Sequence, residues 1–153
     1  MIIHKSKLTM VILLFFLFGM IVSQNAHSEV KTYIEYGRSI INSHNGHGGV
    51  GFVSNKTGWD IGVSILGQGE TQRGTQEPAY VYSISKIFPS KYVKFRLGIA
   101  RSKDVRLIGD TNYKLGIIFL SNEHGEFELT HLSSGGIFDP NTGYDAVVFR
   151  LKF

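Results

Sequence analysis

A side-chain period of two recurs along most of this chain, and it admits few folds. In DIGVSIL, residues 60–66, Ile61, Val63 and Ile65 alternate with Asp60, Gly62 and Ser64. In VKFRLGIA, residues 93–100, Val93, Phe95, Leu97 and Ile99 share one face, and Lys94, Arg96, Gly98 and Ala100 share the other. NYKLGIIFL, residues 112–120, sets Tyr113, Leu115, Ile117 and Phe119 against Lys114, Gly116, Ile118 and Leu120. Alternation of this kind is the mark of strands with two different faces. Eight such segments are predicted, at about 30–42, 47–56, 58–69, 78–88, 92–103, 111–121, 125–134 and 143–153. Turn-forming residues separate them: Asn45-Gly46, Asn55-Lys56-Thr57-Gly58, Pro89-Ser90, Glu123-His124-Gly125 and Pro140-Asn141-Thr142-Gly143.

The distribution of side chains between the two faces is the reverse of a soluble barrel. One face carries the large apolar residues, and the other mixes Gly, Ala and Ser with charge. Small and charged residues suit the narrow interior of an eight-stranded barrel, and apolar ones suit lipid. Most segments have the roughly 10 residues of a tilted strand crossing a bilayer. The expected fold is therefore all-β, an eight-stranded antiparallel transmembrane barrel of the outer-membrane type. Lys94, Arg96, Lys114, Arg150 and Lys152 would point inward and need partners, for which Asp60 and Glu35 are candidates. The final strand ends in Phe153, with Val147, Phe149 and Leu151 on its face, a pattern that resembles the assembly signal of bacterial outer-membrane barrels. A secreted soluble barrel or sandwich is the competing reading.

With 153 residues, the chain has room for one domain. Lys5 and Lys7 precede the apolar run TMVILLFFLFGMIVS, residues 9–23, and Ala26-His27-Ser28 follow. That order reads as a secretory signal peptide, 1–28, with Ala26 as an alternative cut, because the run is shorter than the roughly 20 residues of a spanning helix. The barrel would then occupy 29–153. Removing Lys5 and Lys7 leaves 14 basic residues against 12 acidic ones, a net of +2, too weak a charge to argue for nucleic acid. The absence of cysteine means that an exported chain must be held by something other than disulfides, such as a closed ladder of hydrogen bonds.

Three polar residues interrupt the apolar face. In EFELTHLSS, residues 126–134, His131 and Ser133 share a face with Phe127 and Leu129. In the last strand Asp145 shares a face with Val147, Phe149 and Leu151. With both termini in the periplasm, the three would meet on the outside of the barrel, at the outer leaflet. Residues two apart on a strand are roughly 6.5–7 Å apart, and paired strands about 4.8 Å, so an imidazole can bridge a hydroxyl and a carboxylate. That is the nucleophile, base and orienter of serine hydrolases. Taken singly, each residue could equally mark a lipid–water boundary or a turn.

These residues resemble the lipid A 3-O-deacylases, outer-membrane esterases with an eight-stranded barrel. That family carries a His-x-Ser pair, then a Pro-Asn-x-Gly turn, then a carboxylate two residues after the glycine. His131 and Ser133 match the pair, Pro140, Asn141 and Gly143 the turn, and Asp145 the carboxylate. The family usually has Asn where this chain has Ser134, and Glu serves as the carboxylate in at least one member. The matching motif covers about 23 residues; elsewhere the likeness is architectural. The resemblance implies Ser133 as nucleophile, His131 as general base and Asp145 as its orienter. It implies hydrolysis of the 3-O-linked 3-hydroxyacyl chain of lipid A in lipopolysaccharide, with no metal or cofactor.

Oxyanion donors are expected from the amides of Gly135 and Gly136 and the side chain of Asn141, all in one loop. The same glycines could serve only to shape that loop, and Asn141 only to cap the turn. His44 and His47, in SHNGHGG, are too few for a metal site and read as part of a glycine-rich surface hairpin. GQGETQRG, residues 67–74, reads as a polar loop whose Arg73 could meet lipid phosphates or solvent. Trp59, Tyr33, Tyr36, Tyr80, Tyr82, Tyr92, Tyr113 and Tyr144 fit interfacial belts. Rival functions on the same fold are a non-enzymatic structural or adhesion barrel and another outer-leaflet lipid enzyme, a phospholipase or acyltransferase. The sequence leaves open whether the protein is a monomer or a homodimer.

Overall fold

The computed structural model describes residues 30–137 and 142–153. The segment read as a signal peptide, with both of its cut sites, lies outside the described residues, as do Pro140 and Asn141. All regular structure described is β-strand, and no helix among the described residues is long and apolar enough to cross a membrane. Ten strands form: β1 (Val30–Ser39), β2 (Gly46–Ser54), β3 (Trp59–Leu66), β4 (Gly69–Thr71), β5 (Gly74–Gln76), β6 (Ala79–Pro89), β7 (Lys94–Ser102), β8 (Thr111–Phe119), β9 (Gly125–Ser133) and β10 (Tyr144–Lys152). Eight of them close an antiparallel barrel in the order β1-β10-β9-β8-β7-β6-β3-β2. The closing pair, β1 with β10, runs from Tyr33 opposite Lys152 to Ser39 opposite Ala146. No sheet edge is left unpaired in such an arrangement, so a chain without disulfides still has every barrel strand bonded on both sides.

Each of the eight predicted strands is present, most of them trimmed at an end by the turns, while β2 begins one residue earlier and β6 ends one residue later than expected. Gly58 has φ 72°, and its amide closes the β2–β3 turn onto the Ser54 carbonyl at 2.8 Å. The segment 67–74, expected as a plain loop, contains most of the small β4–β5 hairpin, in which Glu70 pairs with Thr75. It is held by polar bonds, within itself from Thr75 Oγ1 to Glu70 Oε1 at 2.8 Å and to the β1–β2 loop from the His44 amide to the Glu70 carbonyl at 3.2 Å, which is why no hydrophobic period marks it in the sequence.

The faces fall as the alternation requires. Leu97 and Ile99 are 52% and 54% exposed, whereas Arg96 between its apolar neighbours is 2% exposed. The exterior is thus an apolar band and the interior holds the charges, an arrangement compatible with an outer-membrane protein. Inside, Arg96 reaches Asp60 at 2.8 Å, Glu128 at 2.9 Å and Glu126 at 3.4 Å. Arg150 reaches Glu35 at 2.7 Å, Glu128 at 3.1 Å and Glu126 at 3.2 Å, and Lys152 reaches Glu126 at 2.8 Å. Asp60 and Glu35 are partners as expected, and Glu126 and Glu128 join them from β9. Lys94 and Lys114 bond to hydroxyls instead, those of Ser121 at 2.9 Å and Ser83 at 3.1 Å.

Two tyrosines expected in the interfacial belts are inside. Tyr33 is 1% exposed, its hydroxyl 3.2 Å from Asp60 and its ring under the Arg150 guanidinium at 4.6 Å. Tyr144 is 2% exposed and meets Nδ1 of His47 at 3.0 Å. His47, read as part of a surface hairpin, therefore points into the barrel from β2. The reason is parity: Tyr33 lies two residues from inward Glu35, and Tyr144 one residue from outward Asp145. The Tyr33 ring fits only because β2 and β3 have glycine beside it. A Cβ on Gly51 or Gly62 would overlap the Tyr33 ring or hydroxyl. Gly62→Ala is expected to destabilise the folded barrel by about 1–3 kcal/mol through overpacking. A urea midpoint equal to that of the parent would show that the ring is not seated there.

The other half of the interior contains an apolar cluster, where small and charged residues were expected. Leu66, Val81, Leu132, Tyr144 and Val148 pack with Val105, Leu107 and Ile108 from the β7–β8 loop, which folds back into the barrel mouth. Gln76 holds this loop through its side chain, accepting the Arg106 amide at 2.7 Å and donating to the Asp104 carbonyl at 3.0 Å. This apolar plug lies beneath the polar cluster on the outside.

Candidate active site

His131 and Asp145 occupy directly opposed positions on β9 and β10. The alternation turns both outward, and Nδ1 of His131 lies 2.7 Å from Oδ1 of Asp145. The imidazole is 41% exposed and the carboxylate 26%, so the pair is open to a substrate arriving at the outer surface. An ionised carboxylate only accepts, so Nδ1 carries the shared proton and the Nε2 lone pair is left to take another. Ser133 is the next outward residue of β9, roughly 6.5–7 Å away along the strand, and it faces Tyr113 of β8. His131 itself faces Leu115 on that side. The order carboxylate, imidazole, hydroxyl thus runs diagonally across two strands on one face.

Beyond Ser133 the chain leaves the sheet through two glycines, Gly135 with φ 63° and Gly136 with φ 81°. Left-handed backbone here turns the Gly135 N–H back, and it donates to Oγ of Ser133 at 3.0 Å. An amide placed there is close to where the oxyanion of an acyl adduct on Oγ would form. Gly136 is exposed in the same turn, with no described hydrogen bond to the cluster. Asn141 lies outside the described residues. Ser134, which stands where the resembled family has Asn, is 1% exposed and on the inward parity, away from the cluster.

Gly143 does more than turn the chain. Its φ is 83°, and a Cβ there would sit 3.0 Å from Cε1 of His131. A side chain at this position would be strained and would press on the imidazole. The start of β10 is also fixed from three directions. The Leu107 carbonyl accepts the amides of Thr142 and Gly143 at 2.8 and 3.2 Å. Asn42 Nδ2 donates to the Thr142 carbonyl at 3.1 Å, and the Ile40 amide donates to the Asp145 carbonyl at 3.0 Å. Leu107, Asn42 and Ile40 were not singled out from the sequence. The one available signal was the apolar Val105, Leu107 and Ile108 inside an otherwise polar loop.

Below the cluster the outer face is apolar. Leu129 faces Val147, and Phe127 faces Phe149 with ring centroids 4.8 Å apart. An acyl chain whose ester lay at Ser133 would run along this surface. No protein-family model, no curated protein and no solved structure matches the chain. The chemical reading of the cluster therefore stands on its own residues and distances.

Proposed function

We propose that this chain is an outer-membrane serine esterase that removes the 3-O-linked 3-hydroxyacyl chain of lipid A in lipopolysaccharide. The observation that carries the reading is the 2.7 Å bond between His131 and Asp145 on the outward face of the barrel, with Ser133 beside it. Two polar, partly exposed side chains within an apolar band are costly unless they do something there. In the proposed reaction Nε2 of His131 takes the Ser133 proton as Oγ attacks the ester carbonyl. Asp145 holds the ring and stabilises the imidazolium, and the Gly135 amide bonds the oxyanion. The imidazolium then protonates the departing sugar oxygen, and water, deprotonated by the same imidazole, releases the hydroxy fatty acid. The apolar exterior supports residence in a membrane, and the outer leaflet is the one that presents lipid A.

Mass spectrometry of lipid A from cells with and without this protein tests the reading. A species lighter by one 3-hydroxyacyl group is expected only with the protein. Unchanged lipid A, from a host that carries a 3-O-linked chain and with the barrel folded in its outer membrane, would count against the deacylase.

A further inference from the structure

The diagonal from Asp145 through His131 to Ser133 meets one more side chain with a polar end, on β8. Tyr113 is directly opposite Ser133, points outward with it and is 48% exposed. Side chains opposed in this way have Cβ atoms roughly 4.5–5.5 Å apart, so the ring starts out beside the Ser133 hydroxyl. From there it reaches the loop that follows β9. A Cβ on Gly135 would lie 3.5 Å from Cε2 and 3.8 Å from Cδ2 of Tyr113. Apart from the chain neighbours of Gly135, no other described atom comes within 4 Å of that point. The contact is made by the ring edge and not by the hydroxyl.

The turn at Gly135 needs such a support. Gly135 and Gly136 have φ 63° and 81°, and glycine adopts left-handed and right-handed backbone with nearly equal ease. Both glycines are exposed, and so is Ile137 after them. On the inner side the turn is anchored by Ser134, which is 1% exposed and faces into the barrel. The Ile137 amide closes the turn onto the Ser134 carbonyl at 3.2 Å. On the outer side it is the Tyr113 ring that stands against it.

This matters because of what the turn carries. The Gly135 amide donates to Oγ of Ser133 at 3.0 Å. An oxyanion donor is effective within about 2.7–3.1 Å of the charge it meets, and a turn free to rotate would lose that alignment.

We propose that Tyr113 is a positioning residue of the hydrolysis, its ring holding the Gly135 turn so that the amide stays aimed at the oxyanion formed on Ser133. The inference rests on the esterase reading of this cluster and adds a residue to it.

Parent, Tyr113→Phe, Tyr113→Ala and Ile99→Ala are purified in detergent micelles and assayed on lipid A. Ile99 is the outward residue opposite Tyr113 on β7, on the side away from Ser133, and serves as the control. Tyr113→Phe and Ile99→Ala should keep kcat within about twofold of the parent. Tyr113→Ala should lower kcat by about 10- to 100-fold with KM little changed, somewhat less than the loss of an oxyanion donor outright. Nitrogen-15 NMR of the same samples follows the Gly135 amide and needs no substrate. Its resonance should hold in Tyr113→Phe, and in Tyr113→Ala it should move and exchange faster with water. A Tyr113→Ala variant with parental kcat would overturn the inference, and so would an equal loss in Tyr113→Phe or in Ile99→Ala. A rise in KM alone would make the ring a substrate contact and overturn it too. A parent with no activity on lipid A would overturn the esterase reading and this role with it. An active parent whose Gly135 amide is unmoved in Tyr113→Ala would overturn this role alone.

Discussion

In cells expressing Ser133→Ala at matched outer-membrane levels, lipid A is expected to keep its full set of acyl chains. With purified protein, the loss of hydrolysis should be at least about 10³-fold, and His131→Ala should match it. The two residues act on one proton in one step, so the double variant should be no worse than either single one. Asp145→Asn separates the roles further. The amide oxygen can still accept from Nδ1, but it no longer offers a negative charge to the imidazolium, and a drop of about 10³–10⁴-fold is expected. Asp145→Glu keeps the charge and adds one methylene to a side chain that is one-quarter exposed and has room to fold back. It should stay within about tenfold of the parent. Heat-modifiable gel mobility shows whether each variant is folded. A folded Ser133→Ala that still removes the acyl chain would eliminate Ser133 as nucleophile. An Asp145→Asn as active as the parent would reduce the 2.7 Å pair to a surface hydrogen bond.

The cluster was legible because a strand has only two faces. Once His131 was placed with Phe127 and Leu129, and Asp145 with Phe149 and Leu151, antiparallel pairing of consecutive strands put them on one face near the same end of the barrel. What the alternation could not show is the exact opposition of the two residues, which depends on the turn length and on the glycine at 143. Nor could it show the support beneath them. Leu107 lies 36 residues before Gly143 in the chain and meets it only because the β7–β8 loop dips into the barrel.

The strands themselves were legible for the same reason, and the misplaced residues were those where composition overrode parity. Tyr33 and Tyr144 were grouped with the belts as tyrosines, although Glu35 and Asp145 already assigned their faces. Their hydroxyls find Asp60 and His47 inside, which satisfies the polar end of an otherwise apolar ring. The apolar cluster of the interior was hidden in part because Val105, Leu107 and Ile108 come from a loop, to which a strand period does not apply. Glu126 and Glu128 escaped notice as partners because their own strand was read for its outward face.

That interior supports the second large prediction. Arg96→Met is expected to lower stability by about 3–5 kcal/mol, because it leaves buried carboxylates without their counter-charge. Arg96 has no exposed side-chain surface, and three carboxylates from β3 and β9 converge on it, Asp60, Glu126 and Glu128. Arg150 and Lys152 remain, but Arg150 is already shared among Glu35, Glu126 and Glu128, and Lys152 reaches Glu126 alone, so two cations would be left to serve four carboxylates. Water cannot easily replace the guanidinium between packed strands, so the variant must protonate a carboxylate or loosen the barrel. Lys94→Met provides the contrast. Its amine bonds to the Ser121 hydroxyl at 2.9 Å near the rim, and its loss should cost about 1 kcal/mol. Adding Glu128→Gln to Arg96→Met should recover part of the loss, since the most deeply buried carboxylate then needs no counter-charge. Urea midpoints of the refolded barrels, followed by heat-modifiable mobility, measure all three. If Arg96→Met unfolded at the same urea concentration as Lys94→Met, the buried network would not be what holds this half of the barrel together.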